Sequence, residues 1–165
     1  MCKSITKRMY DYLLDHVAQI EKEKEALIKA YYAENIEEGM NIDDFFKDYK
    51  SAISSFLQDV EIRTEGTDHC PFVIIGSDVE VEDTTDLETY KYRIIFPYTK
   101  NPALHVDCAS CLSPLGKALL LKNVDQQVRI EVPTGTLHYK IKSVVAPLSS
   151  EDRQAAVDIP YPQQV

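Results

Sequence analysis

The sequence predicts an α+β protein in which an antiparallel α-helical hairpin, a coiled coil, precedes an antiparallel β domain with one short buried helix. Two observations predict this class. Apolar residues recur every three or four positions through the first 62 residues, as in helices, and on alternate positions after residue 72, as in strands. A single short apolar stretch with helical spacing then lies between the later strands, and such a helix usually packs on a sheet.

The first helix is predicted over residues 5–33, because no glycine or proline occurs before Gly39. Its apolar seam advances by alternating steps of four and three, which is the spacing of a coiled-coil heptad, and Lys24 interrupts it once. The opposite face carries charged residues that suit solvent. The seam consists of Leu13, Val17, Ile20, Lys24, Leu27 and Tyr31.

A turn is predicted at residues 33–42, where Asn41 can cap a second helix that runs to about Glu61. This second helix comes out shorter than the first, so the Leu13–Ile20 half of the first seam lacks a partner within the hairpin. The turn is acidic, with six carboxylates against one lysine in residues 34–48. The second seam consists of Phe46, Tyr49, Ile53, Phe56 and Val60.

The domain organisation follows from the change of period. Residues 1–62 form the hairpin, residues 63–71 a polar linker with Gly66, and residues 72–147 the β domain. The end of the chain from Ala146 contains Pro147, Pro160 and Pro162, and residues 148–165 are expected to be a loosely ordered tail.

The stretch Leu112–Lys122 is the most informative part of the β domain. Ser113 can cap a helix that begins at Pro114, since proline lacks a backbone N–H that would have no partner there. Gly116 costs roughly 1 kcal/mol inside a helix, which predicts a close approach of another chain segment. The strands on either side, including the hairpin with the turn Pro133–Gly135, show strict alternation.

Composition excludes several classes of function. The net charge of −9 disfavours a nucleic-acid binder that uses a basic face. No apolar run is long enough for a membrane span and no secretory signal is recognisable, so we expect a cytoplasmic protein with reduced cysteines and no membrane partner. Cys108 and Cys111 form a CxxC that, with Cys70, His69 and His105, is a weak zinc signal, because residues three apart in a strand point to opposite faces. No catalytic triad, phosphate loop or aromatic-lined isomerase pocket is recognisable, so we expect no enzyme activity of its own.

Residues 72–145 resemble the C-terminal, FKBP-like domain of the bacterial GreA/GreB transcription elongation factors. The stretches that carry the resemblance are FVIIGSDVEVED, YKYRII, CLSPLGKALLLKNVDQQVRIEVPTG and LHYKIKSV, of which the third is the most specific. The predicted hairpin is similar in kind and order to the coiled-coil finger of that family.

The resemblance implies a partner and a way of acting. In that family the globular domain docks on bacterial RNA polymerase at the secondary channel, and the finger enters the channel. Acidic tip residues there help to hold a second Mg²⁺ that the polymerase uses to cleave backtracked RNA, so the factor needs no intrinsic cofactor and meets nucleic acid only indirectly. The resemblance places the acidic tip at Glu37, Glu38, Asp43 and Asp44, and the docking motif at Ser113, Pro114, Gly116, Lys117, Pro133 and Gly135.

The predicted tip departs from the family pattern G-D-L-x-E-N. Matched to Gly39–Asp44, the pattern finds Asp43 at its glutamate position and Met40 at its aspartate position. Two versions of the function therefore stay open: stimulation of RNA cleavage, and a non-cleaving competitor of Gre factors like the Rnk-type and anti-Gre relatives. A third reading is a protein-interaction module unrelated to transcription that dimerises through the unpaired half-seam, in place of a monomer.

Overall fold

The computed structural model describes residues 3–99 and 106–146. The chain divides between Asp68 and His69 into two compact units, a helical unit and a sheet unit. The expected tail at residues 148–165 lies outside the described residues. The α+β class predicted from the sequence is confirmed, with two long helices first and a sheet with a short helix after them.

The helical unit is a hairpin of two helices of nearly equal length. Helix α1 spans Lys7–Tyr31 and helix α2 spans Ile36–Asp59. Thr6 caps α1 by accepting a hydrogen bond from the backbone N–H of Met9. Two short strands, β1 at Ser4–Ile5 and β2 at Glu61–Ile62, pair in parallel at the ends of the hairpin that lie away from its turn.

The predicted turn at residues 33–42 and the cap at Asn41 are wrong. The turn is short, and α2 begins at Ile36 with Asn35 as its cap, so Asn41 lies inside the helix. The reason is that the Asn35 side chain caps the helix start by accepting from Glu38 N, which offsets the roughly 1 kcal/mol that Gly39 costs inside a helix.

The expected difference in helix length is wrong for the same reason, and the unpaired half-seam disappears with it. Leu13 and Ile20, which belong to that half-seam, are 0% and 1% exposed. At this level the His16 side chain of α1 meets Tyr49 of α2, so the two helices face each other there. The buried seam residues are Met9, Leu13, Ile20 and Leu27 of α1 and Gly39, Ile42, Phe46, Tyr49, Ile53 and Leu57 of α2.

Part of the segment expected as a linker is hydrogen-bonded within the helical unit. The backbone N–H of Thr67 donates to Ser4 O (3.0 Å), and that of Thr6 donates to Thr67 O (3.1 Å). Gly66 lies so close to β1 that a Cβ there would fall 2.6 Å from the carbonyl carbon of Ile5. Residues 63–66 therefore form a turn, closed by the hydrogen bond from Gly66 N to Arg63 O (3.0 Å), which brings Thr67 into a single parallel bridge with Ile5 of β1.

The sheet unit contains a five-stranded mixed sheet with the order β5-β4-β3-β7-β6. All neighbouring pairs are antiparallel except β4 and β5, which are parallel, a detail that alternation alone does not specify. The inward residues of the central strands, such as Val79, Val81 and Ile141, are fully buried. The strands are β3 Asp78–Asp83, β4 Thr89–Ile95, β5 Asp107–Ser110, β6 Gln127–Val132 and β7 Gly135–Val145.

The short helix α3 spans Pro114–Leu119 and packs against β6 and β5. Its predicted cap is confirmed, because the hydroxyl of Ser113 accepts from Gly116 N (3.0 Å) and donates to Ser110 O (2.7 Å). The predicted close approach at Gly116 is also present, since a Cβ there would fall 1.9 Å from Ser110 O. Only glycine fits this contact between helix and strand.

Candidate functional site

The turn between the two long helices spans Tyr32–Asn35 and is closed by hydrogen bonds. The backbone N–H of Tyr32 donates to Ile28 O (2.9 Å), and that of Asn35 donates to Tyr32 O (3.2 Å). The Asn35 side chain accepts from Glu38 N (3.0 Å) and donates to Glu38 Oε2 (3.1 Å). The Asn35 cap and its side-chain contact with Glu38 fix the geometry at which the chain enters α2.

The four carboxylates expected at the tip lie in different places. Glu37 and Glu38 are exposed in the first turn of α2, where a negative charge favours the positive end of the helix dipole. Asp44 is exposed on the same helix, seven residues after Glu37, which is about 10.5 Å along the axis. The structure therefore does not bring Glu37 and Asp44 together as ligands of one ion.

Asp43 is held on the flank of the hairpin by an ion pair with the other helix. Lys24 Nζ lies 2.6 Å from Asp43 Oδ1 and 2.9 Å from Glu21 Oε2, and Lys50 pairs with the second oxygen of Glu21. The hydrogen bond from Lys24 is the largest reason why the pKa of Asp43 is lowered. Lys24, which interrupts the predicted apolar seam, is thus the cation at the centre of an interhelical network of four charges.

The residues actually at the end of the hairpin were missed by the sequence reasoning. The turn stretch Ala30–Asn35 reads A-Y-Y-A-E-N, so Glu34 and Asn35 match the last two letters of the pattern G-D-L-x-E-N, and Tyr31 stands at its aspartate position. Glu34 is exposed. The signal that could have found this alignment is the capping pair Asn35 and Glu38, which marks the start of α2.

A half-buried histidine and a buried tyrosine form a polar pair in the hairpin seam. His16 Nε2 and Tyr49 Oη are 2.8 Å apart, and the ring of Tyr12 stacks on His16 with centroids 6.4 Å apart. Burial lowers the pKa of His16 to about 4, so the imidazole is neutral at physiological pH.

The residues expected to dock on a partner divide into two kinds. Ser113 and Gly116 build the corner between β5 and α3, while Pro114 and Lys117 are exposed on the helix. Pro133 and Gly135 are exposed in the turn between β6 and β7, where Gly135 has φ +140°. Gly135 is therefore at a backbone conformation that side chains disfavour.

Cys70 and Cys111 show the properties of buried thiols. Burial raises the pKa of Cys70 and of Cys111 to about 12, so neither is a thiolate at physiological pH. Within residues 3–99 and 106–146, no three His, Cys, Asp or Glu side chains are placed to hold a metal ion. His105, the remaining member of the weak zinc signal, lies outside the described residues.

Three tyrosines of the sheet unit pack together. Cross-strand pairing places the rings of Tyr90 and Tyr92 6.0 Å and 6.3 Å from the ring of Tyr139, and the hydroxyls of Tyr92 and Tyr139 are 3.1 Å apart. Tyr139 is only 4% exposed, so the cluster packs largely on itself.

Comparison with known proteins identifies the family. Residues 68–146 match the family model described as "Transcription elongation factor, GreA/GreB, C-term". The chain is 31% identical over 126 residues to the transcription elongation factor GreA of Caldanaerobacter subterraneus subsp. tengcongensis, an alignment that covers 75% of this chain and 79% of that protein. The chain belongs to the GreA/GreB family of transcription elongation factors.

Other similarities are more restricted. The chain is 35% identical over 71 residues to GreA of Syntrophobacter fumaroxidans, which covers 43% of this chain and 44% of that protein. It thus spans about half the length of several curated relatives that it matches. The crystal structure of GreA factor homolog 1 (Gfh1) of Thermus thermophilus is similar at a TM-score of 0.40 and 19% identity, over 87% of this chain and 99% of that one. No helix among the residues that the structure describes combines the length and apolar character needed to cross a bilayer.

Proposed function

We propose that this chain binds bacterial RNA polymerase at the secondary channel and does not stimulate RNA cleavage, so that it competes with cleaving Gre factors for the same site. The sheet unit docks on the polymerase and the hairpin enters the channel. Family membership supports the partner, and the helical hairpin supports the mode of entry. The protein acts in the cytoplasm, where that polymerase works.

The observation that carries the non-cleaving version is Tyr31 at the aspartate position of the tip. A second catalytic Mg²⁺ lowers the pKa of an attacking water, and it needs oxygen ligands at about 2.1 Å in near-octahedral geometry. Glu34 alone remains of the pair of acids in the family pattern. Asp43 cannot replace the missing acid, because its carboxylate is bound to Lys24.

The remaining acids do not supply the pair either. Glu38 is engaged with the Asn35 side chain, and Glu37 and Asp44 are two helical turns apart. This geometry supports a negatively charged tip that occupies the channel. It does not support a metal site made of two carboxylates. The dimerisation module is not favoured, because the seam that motivated it is buried within the hairpin.

Restoring the missing acid tests this proposal. Tyr31 is 47% exposed at the end of α1, so Tyr31→Asp is expected to preserve the fold. With backtracked polymerase complexes and Mg²⁺, the wild type should leave the rate of 3′ RNA cleavage unchanged, and Tyr31→Asp should raise it. Tyr31→Asn is the matched control, because it has the same shape without the charge and should remain inactive. Stimulation by the wild type would contradict the non-cleaving version.

The docking surface is tested separately by binding. Lys117 is exposed on α3, and Lys142 is exposed on β7 of the same unit, outside the predicted docking motif. We expect Lys117→Glu to weaken binding to purified core RNA polymerase and Lys142→Glu to leave it close to wild type. Equal binding by both variants would remove α3 from the interface.

A further inference from the structure

Among the large apolar side chains described in the helical unit, the two with the highest exposed fractions lie at the turn end of the hairpin. Ile36 is 75% exposed and Met40 is 62% exposed, whereas Leu14, which lies far from the turn on α1, is 46% exposed. Ile36 and Met40 are four residues apart, so they lie one above the other on one face of α2. Tyr31, at the last position of α1, adds an exposed aromatic ring to the same end of the hairpin.

The fold does not require these two side chains to be apolar. The start of α2 is capped by Asn35 and Glu38, and its contact with the preceding turn is made by Gly39, whose Cβ position lies 3.5 Å from Tyr32 O. The hydrophobic contact that often accompanies a helix start joins the residue before the cap to the fourth helical residue, which here are Glu34 and Gly39. Ile36 and Met40 take part in neither device, so the local structure gives no reason for an apolar residue at either position.

Carboxylates surround this apolar pair. Glu34, Glu37 and Glu38 are exposed at the same end of the hairpin, and Asp44 is exposed one turn beyond Met40. The nearest lysines are Lys29, which is exposed in the last turn of α1, and Lys47, about three turns after Ile36 on α2, so the carboxylates outnumber the cations at this end. A surface that fits this end must therefore offer an apolar floor and a cationic rim, because burying these carboxylates against neutral or acidic groups would be costly.

We infer that Ile36 and Met40 form a contact surface that binds an apolar pocket with a rim of Lys or Arg side chains, belonging to the protein part of the polymerase channel. This inference rests on the proposed function, which brings the end of the hairpin into that channel. The acidic residues steer and orient the contact, and the two apolar side chains supply most of its affinity. The tip then holds its place in the channel by packing and not by metal ligation.

Binding measurements with purified core RNA polymerase test the inference. The double variant Ile36→Gln/Met40→Gln replaces both side chains by polar ones that favour helices, and Leu14→Gln is the control at an exposed position far from the turn. We expect the double variant to bind roughly ten- to a hundredfold more weakly than the wild type, and Leu14→Gln to bind within about twofold. Met40→Leu keeps an apolar side chain and should bind like the wild type. Circular dichroism would verify that the helices of each variant are intact.

The outcomes separate this inference from the proposed function. If the wild type does not bind the polymerase, the proposed function fails and the inference fails with it. If the wild type binds and the double variant binds equally well, the inference alone is overturned. If the double variant binds more weakly only when RNA is present in the channel, the contact is with RNA and the assignment to protein is overturned. A loss in core polymerase without nucleic acid, with both controls unaffected, supports it.

Discussion

Two glycines lie within helices, one in each unit, and they differ in the space available for an added Cβ atom. At Gly116 of α3 a Cβ would fall 1.9 Å from Ser110 O, which no small movement can relieve. At Gly39 of α2 the nearest atom would be 3.5 Å away, an ordinary contact. The corner of the sheet unit thus tolerates one residue type, while the start of α2 tolerates several.

This difference explains why local packing restricts the sequence more strongly at the corner of the sheet unit than at the hairpin tip. Where backbone segments touch, as at Ser110 and Gly116, sequence and structure are tightly coupled. Where a hairpin ends in solvent, as at Glu34 and Ile36, many sequences fold equally well. Function can therefore diverge at the tip while the sheet unit keeps a recognisable pattern.

The largest expected effect concerns the close contact at the corner. Gly116→Ala should destabilise the protein by roughly 3 kcal/mol, because overpacking against backbone forces α3 away from β5. Urea unfolding followed by tyrosine fluorescence would measure the loss. A change below about 1 kcal/mol would mean that the corner can open more easily than its geometry indicates.

The next effect concerns the half-buried histidine of the hairpin. Because burial lowers the pKa of His16 from 6.5 to about 4, the unfolded chain binds a proton that the folded chain rejects. The free energy of unfolding is therefore unaffected by His16 above pH 6.5 and falls as the pH is lowered toward 4. At pH 5 the loss of stability is about 2 kcal/mol.

Unfolding measured by helical circular dichroism at pH 7 and pH 5 would check this sign. His16→Asn removes the titrating group and should lose less stability between the two pH values than the wild type does. An identical pH dependence in both proteins would mean that the imidazole takes up its proton without leaving the seam.

Smaller losses of stability are expected when one ion pair is removed from each unit. Arg93 of β4 binds Asp78 of β3 through two hydrogen bonds of 2.7 Å and 3.1 Å, while Lys24 binds Asp43 through one contact of 2.6 Å. Arg93→Met should cost about 1.5 kcal/mol, because it leaves a half-buried carboxylate without its two donors.

Lys24→Met should cost about 0.5 kcal/mol or less, since methionine suits an apolar seam and Asp43 remains accessible to water. Thermal unfolding of both variants would measure the difference. A larger loss for Lys24→Met would show that the interhelical network holds the hairpin in register more strongly than the seam does.

One substitution is expected to increase stability. Gly39→Ala should stabilise the hairpin by up to about 1 kcal/mol, because alanine favours the helix and its methyl group has room beside Tyr32 and Ile28. Thermal unfolding would show a higher midpoint than the wild type. A lower midpoint would mean that the turn needs the flexibility of glycine.

The sequence predicted the sheet unit better than the hairpin tip, for a physical reason. The Ser113 cap, the Pro114 helix start and the close contact at Gly116 are local rules with a single solution, and all three are present. The tip was placed several residues too late because Gly39 and Asn41 look like turn residues, whereas Asn35 and Glu38 form the stronger cap. The pairing of Lys24 with Asp43 depends on the register of two helices, which no local pattern contains.

The most direct test of the proposed function is a competition on backtracked polymerase complexes. A cleaving GreA factor is held at a fixed concentration while this protein is added in increasing amounts, and the rate of 3′ RNA cleavage is measured. The proposal predicts that the rate falls to the level without GreA as the protein displaces it from the channel. A rate that stays constant, or that rises with added protein, would contradict it.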